Sequence, residues 1–185
     1  ALTYCNMIGT GTNDYISNVS VTPVNFPVMS NTTLQDNYSN YITPATLINL
    51  EIGSVGNQLS VSKGWVGTAY GDAVHAWIDW NRDGTFTNDE KILISASSTT
   101  TPVTATFDVP STGIYTGAYN TTMRVALRRT SAPVMCTDPI NGEVEDYAVK
   151  LRPCSNVSPS APVFTAVTHN SAIVNWIPAT NNNAF

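Results

Sequence analysis

Charge is scarce in this chain of 185 residues. Charged residues make up 11% of the sequence, and the formal net charge is −5 at pH 7. A nucleic-acid-binding domain carries a basic patch, so we do not expect nucleic acid as a partner. No apolar run approaches the roughly 20 residues of a membrane-spanning helix. Because no signal peptide opens the chain, we expect either a processed protein or an internal segment of a longer one.

Cysteine is scarce as well. The three cysteines, Cys5, Cys136 and Cys154, form an odd set, which in an extracellular protein indicates one bridge and one cysteine left over. A bridge between the ends of the first long segment would close a loop of more than about a hundred residues and stabilise the fold by roughly 4–5 kcal/mol. Buried free thiols are the alternative. With Asn, Ser and Thr in place of charged residues, the composition is typical of a secreted β protein.

A helical period is absent, and segments with a period of two take its place. Residues 22–41 are polar and turn-rich, whereas residues 14–21 place Tyr15, Val19 and Val21 on one face. The segments predicted as strands are 14–21, 46–52, 58–62, 74–78, 91–95, 102–109, 122–128 and 145–151. Their lengths and regular spacing predict an all-β fold, an antiparallel, jelly-roll-like β-sandwich.

An acidic loop follows the strand that alternates Val74, Ala76 and Ile78 with His75 and Trp77, a pattern that predicts a half-buried strand. This acidic loop, residues 79–90, fits the calcium template D-x-[DN]-x-[DN]-G-x5-E. The predicted Ca²⁺ ligands are the side chains of Asp79, Asn81 and Asp83, the carbonyl of Thr85, and Glu90 as the closing residue.

Both flanks of the acidic loop are strand-like, so the loop is not the EF-hand of a sensor. We therefore predict one structural Ca²⁺ site. A solvated acidic turn is the alternative, because Asn, Asp and Gly are ordinary turn residues.

The string GEVEDY starts at the turn signal Asn141-Gly142 and runs into the predicted last strand. Alternation predicts two faces: Glu143, Glu145 and Tyr147 on the core side, and Val144 and Asp146 on the other. An unpaired buried carboxylate is costly, so we expect Glu145 to need a cation.

The cations available to this strand are Ca²⁺, Arg124 and Arg128. We predict that at least one of Glu143, Glu145 and Asp146 contacts the acidic loop or one of these arginines. The motif would then clasp the last strand to the sheet and carry no chemistry.

Catalytic motifs are missing from the sequence. Glu143 and Glu145 would share a strand face and could form a carboxylate pair of glycosidase type, but we favour a structural role for both. No G-x-S-x-G elbow is present. Trp65, Tyr70 and Trp80 lie outside clean core positions and would suit stacking on sugars or peptides if exposed; filling the core is the alternative for each.

Four ordered blocks resemble the GEVED domain, a β-sandwich module of secreted bacterial proteins. They are Tyr4-Cys5, the WIDWNRDGTF block at 77–86, the MRV strand at 123–125, and Cys136 ahead of GEVEDY at 142–147. The resemblance implies a non-catalytic module of large multidomain proteins, such as peptidases and adhesins, and suggests the bridge Cys5–Cys136. A bridge between Cys5 and Cys154 is the competitor, because terminal strands of a sandwich often pair.

Composition shifts to a Ser/Pro linker after Arg152. The two short apolar segments that follow, ending at Trp176, resemble the start of a fibronectin type III domain. We therefore expect a GEVED-like domain over 1–152, and a linker with a truncated fibronectin type III-like start over 153–185.

Two functions follow as expectations. The first is a calcium-stabilised accessory module, not itself an enzyme, that is secreted or lies at the cell surface. It would bind an extracellular polymer, peptide or surface, or it would position other domains of the same polypeptide towards one. The alternative is part of a secreted hydrolase or lyase with a carboxylate site on the sandwich.

Overall fold

The structure is a computed structural model that describes residues 2–139, 141–154 and 163–175. It divides into two compact units, Ala1–Arg152 and Pro153–Phe185. Within the described residues, no helix has the length and apolar character needed to cross a membrane.

Strands are the main regular elements of the first unit, which confirms the predicted all-β class. The strands are β1 (Asp14–Thr22), β2 (Met29–Thr32), β3 (Tyr38–Tyr41), β4 (Ile48–Glu51), β5 (Asn57–Trp65), β6 (Asp72–Ile78), β7 (Lys91–Ile94), β8 (Val103–Phe107), β9 (Thr121–Arg129) and β10 (Gly142–Arg152). Short 3-10 helices occupy Pro44–Thr46 and Asn88–Glu90.

The strands form two sheets. One contains four strands in the order β2-β1-β5-β8, and the other contains six, in the order β3-β10-β9-β6-β7 with β4 also paired to β10. Both β3 and β4 run parallel to β10, so the second sheet is mixed and not wholly antiparallel. β2 and β3 lie in the stretch that the sequence marks as turn-rich, where polar residues conceal the pairing.

The main core lies between the two sheets. It is built from one face of each long strand, with fully buried side chains such as Val61, Ile78, Val125 and Val149. On β1 the core face changes at a bulge between Ile16 and Asn18. Ile16, Val19 and Val21 are therefore buried while Tyr15 is only partly so, because an extra residue in a strand shifts the alternation by one.

The outer face of the six-stranded sheet is covered too. A second cluster contains Met7, Trp77, Phe86, Ala126 and Val144. Every residue of β6 is consequently buried, which corrects the prediction of a half-buried strand. The cover includes residues 2–9, called here the N-terminal segment, which lies too far from β6 in the sequence for local alternation to reveal it.

The second unit contains one described antiparallel pair, β11 (Val163–Thr165) with β12 (Ile173–Asn175). Phe164, Ile173 and Val174 on these strands are exposed. Trp176, which the sequence suggested as a core residue of a fibronectin type III-like start, lies outside the described residues.

Candidate functional site

The acidic loop leaves β6 and turns through the left-handed region at Arg82 and Gly84, where φ is 60° and 86°. A Cβ atom at Gly84 would lie 3.2 Å from the carbonyl oxygen of Thr3. Glycine adopts this φ without strain, so Gly84 permits both the turn and the close approach of the N-terminal segment.

Three of the predicted calcium ligands lie together on this loop. Asp79 Oδ1 and Asn81 Oδ1 both accept hydrogen bonds from the Asp83 backbone N–H, at 3.2 and 3.0 Å. Asn81 Nδ2 donates to Asp83 Oδ2 at 2.9 Å. Asp79 is fully buried, whereas Asn81 and Asp83 are exposed. Their oxygens therefore form a set that is anchored at the buried Asp79 and open to solvent at Asn81 and Asp83, and oxygen is the ligand atom that calcium prefers.

Glu90, the predicted closing ligand, uses its carboxylate oxygens in hydrogen bonds within the loop. Its Oε1 accepts from the Trp80 backbone N–H at 3.0 Å, and its Oε2 accepts from the Thr87 backbone N–H at 2.8 Å. Burial raises the pKa of Glu90, and these hydrogen bonds oppose that effect. Both oxygens are thus engaged, and Glu90 already joins the start of the acidic loop to its end.

No three His, Cys, Asp or Glu side chains among the described residues form a group that could hold a metal ion. Calcium at the acidic loop would therefore depend on the amide oxygen of Asn81 and the carbonyl of Thr85 as well as on carboxylates. The side-chain oxygens of Asp79, Asn81 and Asp83 are ligands of the type that calcium binds. Both oxygens of Glu90, in contrast, already accept hydrogen bonds when no calcium is bound.

The N-terminal segment reaches the acidic loop through Tyr4, a contact that the sequence does not predict. The Tyr4 hydroxyl donates to Asp79 Oδ2 at 2.8 Å, and its ring stacks on Phe86 with centroids 4.8 Å apart. Burial first, and Asp79 in addition, raise the pKa of Tyr4 to about 12, so the phenol remains a donor at neutral pH.

The predicted disulfide is confirmed. Cys5 is bonded to Cys136, with 5.5 Å between their Cα atoms, and this pairing excludes the competing bridge from Cys5 to Cys154. Cys154 is exposed. The bridge ties the N-terminal segment to the loop between β9 and β10, across the outer face of the six-stranded sheet.

On the outer face of β10, Asp146 pairs with Arg124 of β9. Arg124 Nε and Nη2 donate to the two carboxylate oxygens of Asp146, each at 2.7 Å, and both side chains are almost fully buried. Arg124 Nη1 also donates to the Cys5 carbonyl at 2.8 Å. The pair thereby joins β9, β10 and the N-terminal segment. Arg128, the other candidate cation, is half-buried and makes no ion pair with any described residue.

The inner face of β10 carries two carboxylates without a cation. Glu143 and Glu145 are both 0% exposed. Glu143 Oε2 accepts from the Ile16 backbone N–H, and Glu145 Oε2 from the Tyr147 hydroxyl, each at 2.8 Å. We expected a cation at Glu145, either an arginine or calcium in the acidic loop. That expectation is wrong, because neither an arginine nor the acidic loop contacts Glu145. Backbone and hydroxyl donors from β1 and β10 itself occupy that side, and the arginines lie on the opposite face of the sheet.

Burial shifts the protonation of both glutamates. Burial, reinforced by the charges of Glu145 and Asp36, raises the pKa of Glu143 to about 9 against the bond from Ile16. Burial raises the pKa of Glu145 to about 7, partly opposed by the hydrogen bond from Tyr147 and by the nearby Thr33 hydroxyl. Perturbed carboxylates often mark active sites, but these two lie between the sheets and out of reach of a polymer.

A surface cleft of about 440 Å³ lies on the outer face, lined by the N-terminal segment, Tyr38, Arg124 and Asp146. The aromatic candidates lie elsewhere. Trp80 is buried in the main core, and Trp65 donates its indole N–H to Asp72 Oδ2 at 2.6 Å. Tyr70 is 42% exposed, with Arg129 stacked 3.7 Å from its ring centroid. Tyr70 is thus the most exposed of the three, and Trp65 is half-buried.

The geometry defines a β-sandwich whose acidic loop and GEVEDY strand are fastened by a disulfide-anchored N-terminal segment. Residues 73–150 match the GEVED domain family, a span that begins in β6 and ends in β10. The acidic loop and both faces of the GEVEDY strand lie within that span. A search of curated proteins found no match to the chain.

Proposed function

We propose that residues 1–152 are a calcium-stabilised, non-catalytic accessory module of a secreted multidomain protein. The module binds an extracellular polymer, peptide or cell surface, or spaces other domains of the same polypeptide towards it. Residues 153–185 begin a fibronectin type III-like domain in this proposal. The match to the GEVED family, the disulfide and the low charge support a secreted module.

The position of Asp79 is the observation that carries the calcium proposal. Its carboxylate is fully buried where the acidic loop, β9 and the N-terminal segment meet, and it accepts bonds from Tyr4 and Gly84. The Thr121 hydroxyl donates to the Asp79 carbonyl. A cation bound at Asp79, Asn81, Asp83 and the Thr85 carbonyl would fix three elements at once, with Glu90 as the closing residue.

Chelation tests this proposal. At calcium a hundredfold above its Kd, binding adds about 2.7 kcal/mol to the free energy of unfolding, so EGTA should lower the Tm of metal-loaded protein. The double variant Asp79→Asn/Asp83→Asn should lose bound calcium and the response to EGTA. Asp89→Asn removes an exposed carboxylate of the same loop and is the matched control, expected to keep both.

A Tm that EGTA leaves unchanged in protein proven to contain calcium would contradict the stabilising role. Glu90→Gln tests the closing position separately. If calcium affinity is unchanged while stability falls, Glu90 serves only to accept hydrogen bonds from the Trp80 and Thr87 N–H groups and is not a calcium ligand. Turnover of a polysaccharide or peptide substrate that disappears in Glu143→Gln would contradict the non-catalytic assignment.

A further inference from the structure

The cleft of about 440 Å³ on the outer face of the six-stranded sheet has the size of a ligand site. Sites for small organic ligands have volumes of about 300–1,000 Å³. The cleft is lined by the N-terminal segment from Leu2 to Met7, by Tyr38 and Asn40 of β3, and by Ile42. No residue of the acidic loop, all of which the structure describes, lines it. A ligand in the cleft would therefore occupy a site distinct from the calcium ligands.

The charges of the cleft cancel. Among the described residues that line it, Arg124 and Asp146 alone are charged at neutral pH. They are almost fully buried, and they pair through two hydrogen bonds of 2.7 Å. A charged ligand would have to separate this pair, which leaves one partner buried without its counter-charge. The cleft should therefore select uncharged ligands.

Uncharged polar side chains of the cleft are available to a ligand. Thr3 and Asn6 are exposed, and neither side chain forms a hydrogen bond with a described residue. Asn40 accepts the Ile42 backbone N–H through Oδ1 at 2.9 Å, while its Nδ2 donates to no described residue. A carboxamide or a hydroxyl group can both donate and accept. Such groups match the hydroxyl groups of a sugar, which also do both.

Aromatic and aliphatic surface lies beside these polar groups. The Tyr4 ring is held by its stack on Phe86, and the Tyr38 ring is held by its hydrogen bond to Asp146 at 3.0 Å. Both tyrosines are half-buried, and Ile42 is 45% exposed. Rings fixed in this way lose little entropy when a ligand binds. Sugar rings have an apolar face and a polar edge, so this mixture of surfaces suits them.

An extended peptide is the other neutral polymer, and the edge of β3 disfavours it. The Val144 N–H donates to the Asn37 carbonyl at 3.2 Å. In the parallel pairing with β10, the main-chain groups of Tyr38 and Asn40 therefore point to the free edge. Two residues with free main-chain groups form too short an edge to hold an added strand. The side chains of the cleft consequently favour a glycan.

We propose that the outer cleft binds a neutral oligosaccharide segment of an extracellular polysaccharide. Thr3, Asn6 and Asn40 form hydrogen bonds with its hydroxyl groups. Tyr4 and Tyr38 contact the apolar faces of its sugar rings. This inference rests on the proposed function, a polymer-binding module, and it specifies the class of polymer and the site.

Calorimetric titration of the calcium-loaded full chain tests the proposal. The probes are cellohexaose, xylohexaose, mannohexaose and chitohexaose, with hexagalacturonate as the charged comparison. We expect at least one neutral probe to bind and hexagalacturonate not to bind. Ile42→Trp fills the cleft and should abolish binding, and Asn6→Ala should weaken it about fivefold. The controls Val55→Trp and Asn120→Ala change exposed residues outside the cleft and should bind like the wild type.

The contrary outcomes are distinct. Failure of all four neutral probes to bind overturns the glycan inference, and so does binding that persists in Ile42→Trp. Binding of hexagalacturonate in preference to the neutral probes overturns it too. A peptide array that captures the wild type but not Ile42→Trp would also overturn it, while keeping a polymer-binding module. The calcium part of the proposed function fails separately, through a Tm that EGTA leaves unchanged.

Discussion

The carboxylates on the two faces of β10 have different partners. On the outer face Asp146 has a bidentate arginine partner and a tyrosine hydroxyl, whereas on the inner face Glu143 and Glu145 have one neutral donor at each Oε2. All three are buried to at least 97%. Burial alone therefore does not decide how a carboxylate is satisfied; the elements that pack on its face do.

The two faces also differ in how completely their carboxylates are hydrogen-bonded. Asp146 needs nothing further, because Arg124 satisfies both of its oxygens. Glu143 and Glu145 each keep one oxygen without a partner. The strand therefore carries a fully paired carboxylate on one side and two incompletely paired, titratable carboxylates on the other.

Removal of Arg124 should produce the largest change. Arg124→Leu leaves Asp146 buried without its cation, which is expected to lower the free energy of unfolding by about 3–5 kcal/mol in urea titrations. Arg128→Leu is the matched control on the same strand and face, and should change it by no more than about 0.5 kcal/mol. Equal losses in both variants would show that the outer pair is not the source of the effect.

Loss of the disulfide should weaken the outer face next. The bridge closes a separation of 131 residues, and Cys5→Ser/Cys136→Ser should cost roughly 2–5 kcal/mol. Because the N-terminal segment also carries Tyr4 to Asp79, the same variant should bind calcium more weakly. Unchanged calcium affinity would mean that the segment stabilises the sheet without supporting the acidic loop.

The inner face should make the stability of the protein depend on pH. The pKa values of Glu143 and Glu145, raised in the fold to about 9 and about 7 from an ordinary 4.5, mean that the folded state holds more protons than the unfolded chain. In EDTA the free energy of unfolding should therefore be highest near pH 5 and fall as the pH rises towards 9.

Glu143→Gln/Glu145→Gln should flatten this decline, since neither side chain then titrates. Asp72, whose pKa burial raises to about 6, contributes to the lower part of the same range, and Asp72→Asn is the control for it. A wild-type profile that rises between pH 5 and 9 would contradict the buried, protonated state of the inner carboxylates.

The smallest effect belongs to the contact between the N-terminal segment and the acidic loop. Tyr4→Phe removes the hydroxyl that donates to Asp79 and keeps the stack on Phe86, so it should cost about 1 kcal/mol. Tyr38→Phe removes the comparable bond to Asp146 and is its control. We expect Tyr4→Phe, and not Tyr38→Phe, to alter calcium affinity. A similar change in Tyr38→Phe would mean that calcium affinity depends on the stability of the whole sheet and not on the contact between Tyr4 and Asp79.

Local sequence patterns predicted the all-β class, most of the strands and the two faces of the GEVEDY strand. These features follow from local alternation, because successive side chains of a strand point to opposite sides. The disulfide pairing was suggested by resemblance to a family and is confirmed. Side-chain chemistry likewise identified the acidic loop and its oxygen donors, although their use by calcium is still a prediction.

Contacts between distant segments determine which buried carboxylate has a cation. Arg124 and Arg128 are equivalent in the sequence pattern, yet Arg124 alone lies opposite Asp146 in the register of β9 and β10. The bulge in β1, the parallel pairing of β3 and the cover supplied by the N-terminal segment depend on contacts between residues far apart in the chain. Local alternation reports how a strand is oriented, but it carries no information about which distant segment packs on each face.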